Sequence, residues 1–166
     1  MVLSVLRRRV ALGIASSVLS VMLPTVALAA TSVTPATGGS AVSNGTISNG
    51  TYTPLTGPVL TGINDADMTV APVFGTLILD APTGFEFDTT GTAPTLLVTC
   101  TSSCGGGAAS NINNLASNST IAVTRSATQL TVTITDDVDG TAINSLTWQN
   151  IRVRPAAALP LASGNI

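Results

Sequence analysis

The sequence predicts an all-β protein, an antiparallel β-sandwich of seven to eight short strands. Threonine and valine, which favour strands, are common after the apolar N-terminus. Turn signals such as Asn-Gly and Pro-Thr-Gly recur along the chain, and helical periodicity is lacking beyond residue 30. An open barrel is the alternative architecture. A parallel β-helix is disfavoured because the chain has no repeat of fixed period.

The N-terminus has the three parts of a secretory signal peptide. Arg7–Arg9 form its positive region, and Val10–Val26 form its apolar region. Ala27 and Ala29 are small residues before a cut after Ala29 or one residue later. A transmembrane anchor is the competing interpretation, but the apolar run is short and is interrupted by glycine, serine and proline. We therefore expect residues 1–29 to be removed, by the general secretory route, and the protein to be secreted, extracellular or displayed at the cell surface.

Removal of this segment would leave few charges. Three arginines, Arg125, Arg152 and Arg154, would face eight acidic residues, a net charge of about −5, with neither lysine nor histidine. Nucleic acid and anionic membranes are poor partners for such a surface. Without histidine, Ser-His-Asp and Cys-His catalytic arrangements cannot be assembled. The roughly 137 remaining residues suit one domain with a hydrophobic core.

The first half of that domain divides into a lead-in, an edge strand and a loop. Residues 30–50 are predicted to be a flexible lead-in with one edge strand, and residues 51–166 to form the sandwich. A strand is expected over Tyr52–Thr61, and its two prolines would confine it to a sheet edge. Gly62–Val70 is expected to be a loop.

Phe74–Asp88 predicts two strands around a turn at Ala81–Gly84. The continuous apolar run Leu77–Leu79 favours a strand that is covered on both faces. After the turn, Phe85 and Phe87 share one face, which we expect to point inward. Glu86 and Asp88 share the other face, where two carboxylates would keep the sheet soluble.

Further strands are predicted in the second half. One covers Thr95–Thr99 and precedes a glycine-rich loop over Cys100–Gly107, and the stretch Asn111–Asn118 is polar and irregular. Thr120–Arg125 and Gln129–Thr135 predict a hairpin. Its apolar residues should point inward and its threonines outward. The inward residues would be Leu130, Val132 and Ile134.

The stretch Ser145–Pro155 holds the only tryptophan of the chain. Leu146 and Trp148 alternate with Thr147, as in a strand with one buried face. Ile151 and Val153 are one residue out of step with Trp148. A β-bulge at Gln149–Asn150 would let all four apolar side chains face the core, with Trp148 as its anchor.

Two segments resemble a known family. The sequences G-T-L-I-L-D-A-P-T-G-F-E-F-D within Phe74–Asp88, and W-Q-N-I-R-V-R-P-A-A-A-L-P-L-A-S-G-N-I over Trp148–Ile166, resemble modules of large secreted bacterial β-strand-repeat proteins. These modules are Ig-like and adhesin-like. The resemblance covers roughly Tyr52 to the end and implies an Ig-like sandwich with a structural surface role, usually within arrays. It implies no catalytic residue, and Cys100 and Cys104 are not part of its pattern.

Three groups of residues are candidates for chemistry. Cys100 and Cys104 are expected to form a local disulfide, since an exported protein keeps such bonds and two thiols without histidine are too few for zinc. Asp136, Asp137 and Asp139 with Gly140 make a tight acidic loop that suits calcium, although ordinary turn residues explain it as well. Glu86 and Asp88 are the one carboxylate pair at strand spacing, and glycoside hydrolysis would need carboxylates that face each other across a bond.

Together these features predict a non-enzymatic structural or adhesive module, one unit of a larger protein. Its expected partners are a surface protein or glycan and neighbouring modules, with no membrane span after signal removal and no cofactor other than candidate calcium. A carbohydrate-binding module is the alternative. That alternative requires exposed aromatic side chains, and the mature chain has few: Tyr52, Phe74, Phe85, Phe87 and Trp148.

Overall fold

The structure is a computed structural model, and it describes residues 31–39, 42, 50–64, 69–70, 73–104, 111–135 and 142–156. Several predictions concern residues outside these ranges. They are the signal peptide over 1–29, much of the lead-in, the acidic loop at Asp136, Asp137 and Asp139, and the chain after Ala156.

The described chain is an all-β, antiparallel fold, as predicted. Its strands are more numerous and shorter than expected, because several predicted strands are divided between sheets. The bounds are β1 (Ser32–Thr34), β2 (Thr53–Pro54), β3 (Val59–Asn64), β4 (Thr69–Val70), β5 (Val73–Phe74), β6 (Thr76–Asp80), β7 (Phe85–Phe87), β8 (Thr95–Ser102), β9 (Ser119–Ala122), β10 (Thr124–Arg125), β11 (Gln129–Thr133), β12 (Ile143–Gln149) and β13 (Arg152–Pro155). A 3-10 turn, Ile112–Asn114, lies between β8 and β9.

One layer is a five-stranded sheet in the order β1-β3-β12-β8-β9. The long strands β8 and β12 lie at its centre, and their apolar residues alternate so that one face is buried. Trp148 stands opposite Leu96, and Leu146 stands opposite Val98. All four are nearly inaccessible to solvent.

The facing layer contains two three-stranded sheets, β10-β11-β6 and β2-β13-β7, and a separate short hairpin joins β4 to β5. The two sheets meet at the turn between β10 and β11. There the Ala81 N–H donates to the Thr128 carbonyl at 2.8 Å, and the Phe87 N–H donates to the Ala127 carbonyl at 2.7 Å. These strands and the five-stranded sheet make a sandwich-like arrangement, the first of the two architectures that the sequence left open.

The hydrophobic core lies between the layers and draws on every sheet of the sandwich. Burial of each large apolar side chain contributes about 1.5–3 kcal/mol, so this cluster is the main source of stability. Its buried members are Ile63, Phe87, Leu96, Val98, Ile112, Leu130, Val132, Ile134, Leu146, Trp148, Ile151 and Val153. Leu130, Val132 and Ile134 point inward, as their alternation predicted.

The chain passes from one layer to the other between β12 and β13. We predicted a β-bulge at Gln149–Asn150 within one strand, and that prediction is wrong. β12 ends at Gln149, Asn150 adopts a left-handed φ of 58°, and β13 begins at Arg152 in the facing layer. The four apolar side chains nevertheless all face the core, as we expected, because Ile151 and Val153 are almost as fully buried as Leu146.

The expected edge strand over Tyr52–Thr61 is also divided. Its first part is β2, at the edge of a three-stranded sheet, and its second part is β3, an interior strand between β1 and β12. Gly57 makes the crossing between them, and a Cβ there would overlap the Trp148 carbonyl. Only glycine permits the backbone to pass so close to β12.

Four further predictions need correction. The run Leu77–Leu79 is covered on one face only, since Ile78 is 53% exposed. Thr120–Arg125 is split, with β9 in the five-stranded sheet and β10 paired with β11, so only its end forms the predicted hairpin. β8 continues through Cys100 to Ser102, where we expected a loop. The stretch Asn111–Asn118, which we described as polar and irregular, contributes the buried Ile112 to the core.

Candidate functional site

Most described charged side chains gather in one place, which we call the arginine–carboxylate cluster: Tyr52, Glu86, Asp88, Arg152 and Arg154. It forms because β13 lies between β2 and β7. The sequences R-V-R and E-F-D both alternate charged and apolar residues, so Val153 and Phe87 enter the core together. The charged residues are left side by side on the other face.

Arg154 is the centre of one half of the cluster. Its Nε donates to Glu86 Oε1 at 2.5 Å, and its guanidinium lies 4.5 Å from the centre of the Tyr52 ring. The Tyr52 hydroxyl donates to the same Glu86 oxygen at 3.3 Å. The hydrogen bond to Glu86 raises the pKa of Arg154, while burial and the nearby Glu86 charge raise the pKa of Tyr52.

Asp88 is the centre of the other half, and its side chain is only 4% exposed. Arg152 Nη1 donates to Oδ2 at 2.8 Å. Oδ1 accepts the N–H groups of Thr90 and Gly91, each at 2.9 Å, and the Thr90 hydroxyl at 3.1 Å. Burial on its own would raise the pKa of Asp88. The donors from Gly91, Thr90 and Arg152 outweigh it, so the pKa lies below its ordinary value.

Gly91 joins this half to the rest of the fold. Arg125 Nη1 donates to its carbonyl at 2.9 Å, which fixes the turn after Asp88 against β10. A Cβ at Gly91 would overlap the Asp88 carboxylate and the Arg152 guanidinium. Each arginine of the described chain is therefore engaged with a neighbouring strand or turn.

The sequence placed Glu86 and Asp88 on a solvent-facing polar face, and the structure corrects this. Asp88 is buried, and both carboxylates form ion pairs with arginines 64 and 68 residues away along the chain. The arginine partners of Glu86 and Asp88 could have been inferred from one sequence signal, the matching spacing of charged residues in R-V-R and E-F-D. Chemically, the arrangement holds β13 to β7 and to the turn after β7. Both oxygens of Asp88 and Oε1 of Glu86 already accept hydrogen bonds.

A second feature is an apolar groove of about 200 Å³ at the open side of the sandwich. It lies between β1 and β3 of one layer and β6 of the other, and Trp148 contributes to its wall. Its lining residues are Val33, Pro58, Leu60, Leu77, Ile78, Leu79 and Trp148. Val33 is 62% exposed and Ile78 is 53% exposed, so the groove holds the two large apolar side chains most accessible to solvent in the described chain.

The remaining candidates are placed as follows. Cys100 and Cys104 have their sulfur atoms at the bonded distance, 2.03 Å, with Cα atoms 5.8 Å apart, as the sequence predicted. Trp148 is a core residue and is 3% exposed. The aspartates of the candidate calcium loop lie outside the described ranges. Among the described residues, no group of three or more metal-binding side chains occurs.

No family model, curated protein or solved structure matches this chain. In the part of the chain that the structure covers, no helix is both long and apolar enough to cross a bilayer.

Proposed function

We propose that this chain is a non-enzymatic structural or adhesive module of a secreted or surface-displayed protein, one unit of a larger array. The observation that carries the proposal is the use made of its few charged side chains. In the described ranges, the arginines and the carboxylates of the cluster form hydrogen bonds that join strands and turns. A module whose polar chemistry is internal in this way is suited to bearing load or spacing other units.

Four further features support the same role. The N-terminal sequence has the pattern of a signal peptide, and the disulfide suits an oxidising compartment. The segments Phe74–Asp88 and Trp148–Ile166 resemble modules of Ig-like surface proteins. β13 is the last described strand, and it pairs with β2 on one edge and β7 on the other. A strand held on both edges is suited to carrying a following unit.

Carbohydrate binding is the weaker proposal. Sugar platforms need exposed aromatic faces, yet Trp148 and Phe87 are buried and the Tyr52 ring is partly covered by Arg154. Trp148 and Phe87 therefore serve the core, and Tyr52 serves the cluster.

Surface proteolysis tests the proposal. Intact cells that produce the full-length protein are treated with a broad-specificity protease, and the released peptides are identified by mass spectrometry. We expect peptides from this chain in the released fraction, with a cytoplasmic protein as the control for lysis. Release only after lysis would contradict the proposal.

A further inference from the structure

We propose that the outer face of the five-stranded sheet, the face turned away from the core, is an interaction surface that pairs with the same face of a second copy of this chain. The choice of a like unit as the partner rests on the proposed role within an array. The pairing itself is a property of the isolated chain, and it is tested without reference to export.

The five-stranded sheet carries no charge. None of the residues in β1, β3, β12, β8 and β9 is acidic or basic, although this sheet contains the two longest described strands. The charged side chains of the described ranges all belong to strands of the facing layer or to the turn after β7: Asp80, Glu86, Asp88, Arg125, Arg152 and Arg154. Soluble monomers normally spread charges of both signs over the surfaces that face water. An uncharged face of this width is therefore suited to contact with another uncharged surface.

Short hydroxyl and aliphatic side chains alternate across the outer face. In β12, Leu146 and Trp148 point to the core, so Thr147 between them points outward. The ladder neighbours in this row of the sheet are, in order, Thr34, Val59, Thr147, Leu97 and Thr120. All five side chains are exposed or half-buried. The row therefore reads hydroxyl, aliphatic, hydroxyl, aliphatic, hydroxyl from either end, and its centre is β12, which has two strands on each side.

A row that reads the same from both ends is self-complementary about a two-fold axis. An axis that runs along β12 between two facing sheets places Thr147 against Thr147 of the second copy. The same axis places Val59 against Leu97 of the second copy, and Thr34 against Thr120. Aliphatic groups then meet aliphatic groups, and hydroxyls meet hydroxyls. Sheets that pack face to face in this way are about 10 Å apart, a distance that short side chains such as these can fill.

The size of the face determines how strong the contact is. At the usual strand spacing each residue covers roughly 16 Å² of sheet, so these five strands of three to eight residues cover roughly 400–450 Å². A pair would bury roughly 800–900 Å², the size of weak and reversible contacts. Short flexible linkers give tethered units an effective concentration of about 1 mM. A weak contact of this kind is therefore sufficient between neighbouring units of an array.

The chemistry of the face favours a like surface over other partners. A charged macromolecule would find no opposite charge in these five strands. A glycan would find no aromatic platform there, because the one aromatic residue of the sheet, Trp148, points to the core. The identical face of a second copy requires neither a charge nor an aromatic side chain.

Sedimentation equilibrium of the exported chain without residues 1–29 tests the inference. We expect a reversible equilibrium of monomer and dimer at concentrations up to about 1 mM. Thr147→Lys places like charges against each other at the two-fold axis and should weaken the dimer at least about tenfold. Thr133→Lys places the same charge on the exposed side of β11, in the other layer, and should leave the dimer unchanged. A parent chain that stays monomeric at about 1 mM, or equal effects of the two variants, would overturn the inference.

A mixture of oppositely charged variants tests the two-fold axis itself. Thr147→Lys and Thr147→Glu should each dimerise poorly alone, and an equimolar mixture should form a heterodimer. This recovery is expected because the axis brings residue 147 of one copy against residue 147 of the other. Two folded variants that remain monomeric when mixed would contradict this arrangement.

Nuclear magnetic resonance of the parent chain needs no substitution, so it decides the matter if a charged variant fails to fold. The amide signals of Thr147 and Thr120 should shift as the protein concentration rises, and the signal of Thr133 should not. Shifts confined to the layer that contains Thr133 would overturn the inference.

Association through the apolar groove would give a different result. Ile78→Lys places a charge in the groove and should leave the dimer unchanged. Loss of the dimer in this variant, with the dimer retained in Thr147→Lys, would assign the association to the groove and overturn the inference. Retention of the protein in the cytoplasm would contradict the proposed role, but it would leave the association of the purified chain unaffected.

Discussion

At the scale of single residues, the fold depends on a few side chains that touch several elements at once. Trp148 contacts the core and one wall of the groove, and Gly57 lets the chain pass against its carbonyl. Asp88 accepts four hydrogen bonds in a buried position. Substitutions at such residues should cost far more than substitutions on the outer faces of the strands.

Replacement of Trp148 by alanine should lower the free energy of unfolding by about 3–5 kcal/mol, since it removes the largest buried side chain and leaves a cavity. Chemical denaturation followed by circular dichroism measures the change. Thr133→Ala, on the exposed side of β11, is the control and should stay within about 0.5 kcal/mol of the parent. A Trp148→Ala variant as stable as this control would show that the side chain is not a core anchor.

Asp88 should make stability fall in acid. Its folded pKa lies below the ordinary value of 3.8, so the folded state binds a proton less readily than the unfolded state. The stabilisation is therefore complete above that ordinary value and is lost as pH falls through the folded pKa. Asp88→Asn should be less stable at pH 7 and should show a shallower loss between about pH 5 and pH 2.

Urea denaturation across this pH range provides the measurement. Asp80→Asn changes an exposed carboxylate that accepts from Gln129 and leaves Asp88 in place. This control should therefore keep the steep loss of the parent. If Asp88→Asn and the parent lose stability in parallel, the buried carboxylate is not the source of the acid sensitivity.

At the scale of elements, alternation along the sequence predicted which side chains face the core, but it did not predict which strands pair. Leu130, Val132, Ile151 and Val153 are buried as expected. The divisions within Tyr52–Thr61 and Thr120–Arg125 were missed because a continuous strand and two strands in different sheets have the same local pattern. What separates them is long-range packing, such as the contact of Gly57 with β12.

The candidate site shows the same limit. The sequence identified Glu86 and Asp88 by their spacing, but their arginines lie more than 60 residues away, and local rules do not link them. The exposed side of Ile78 was missed because a continuous apolar run normally means burial on both faces. Here the strand lies beside a groove that the described chain leaves open.

The disulfide at the end of β8 should contribute little to stability. The ring that it closes is short, so the bond removes little conformational entropy from the unfolded chain. The resulting stabilisation is about 2–3 kcal/mol at most. A Cys100→Ser/Cys104→Ser double variant should therefore remain folded with a slightly lower Tm. Titration of thiols in the denatured, non-reduced parent should find none, and free thiols there would contradict the bond.

The acidic loop at Asp136, Asp137 and Asp139 provides a separate prediction about calcium. If the loop binds the ion, the Tm will be higher in millimolar calcium than in chelator, because a ligand that binds only the folded state stabilises it. Asp137→Asn should reduce that difference. A Tm that is the same in calcium and chelator would remove calcium from the account.

At the scale of the whole molecule, the charged residues of the arginine–carboxylate cluster join strands of the sandwich, and the sequence begins like that of an exported protein. These two properties together lead to the proposed role as a surface or secreted module. Export is the central claim. The disulfide, the low content of charged residues and the resemblance to surface modules support the proposed role only if the protein leaves the cytoplasm.

The most direct test is mass spectrometry of the mature N-terminus in separated cell fractions. The protein is produced from its full-length gene, and the cytoplasmic, surface and medium fractions are digested after chemical labelling of free amines. The account predicts a labelled N-terminus at Ala30 in the surface or medium fraction and very little protein elsewhere. An intact chain that begins at Met1 and remains in the cytoplasm would contradict it.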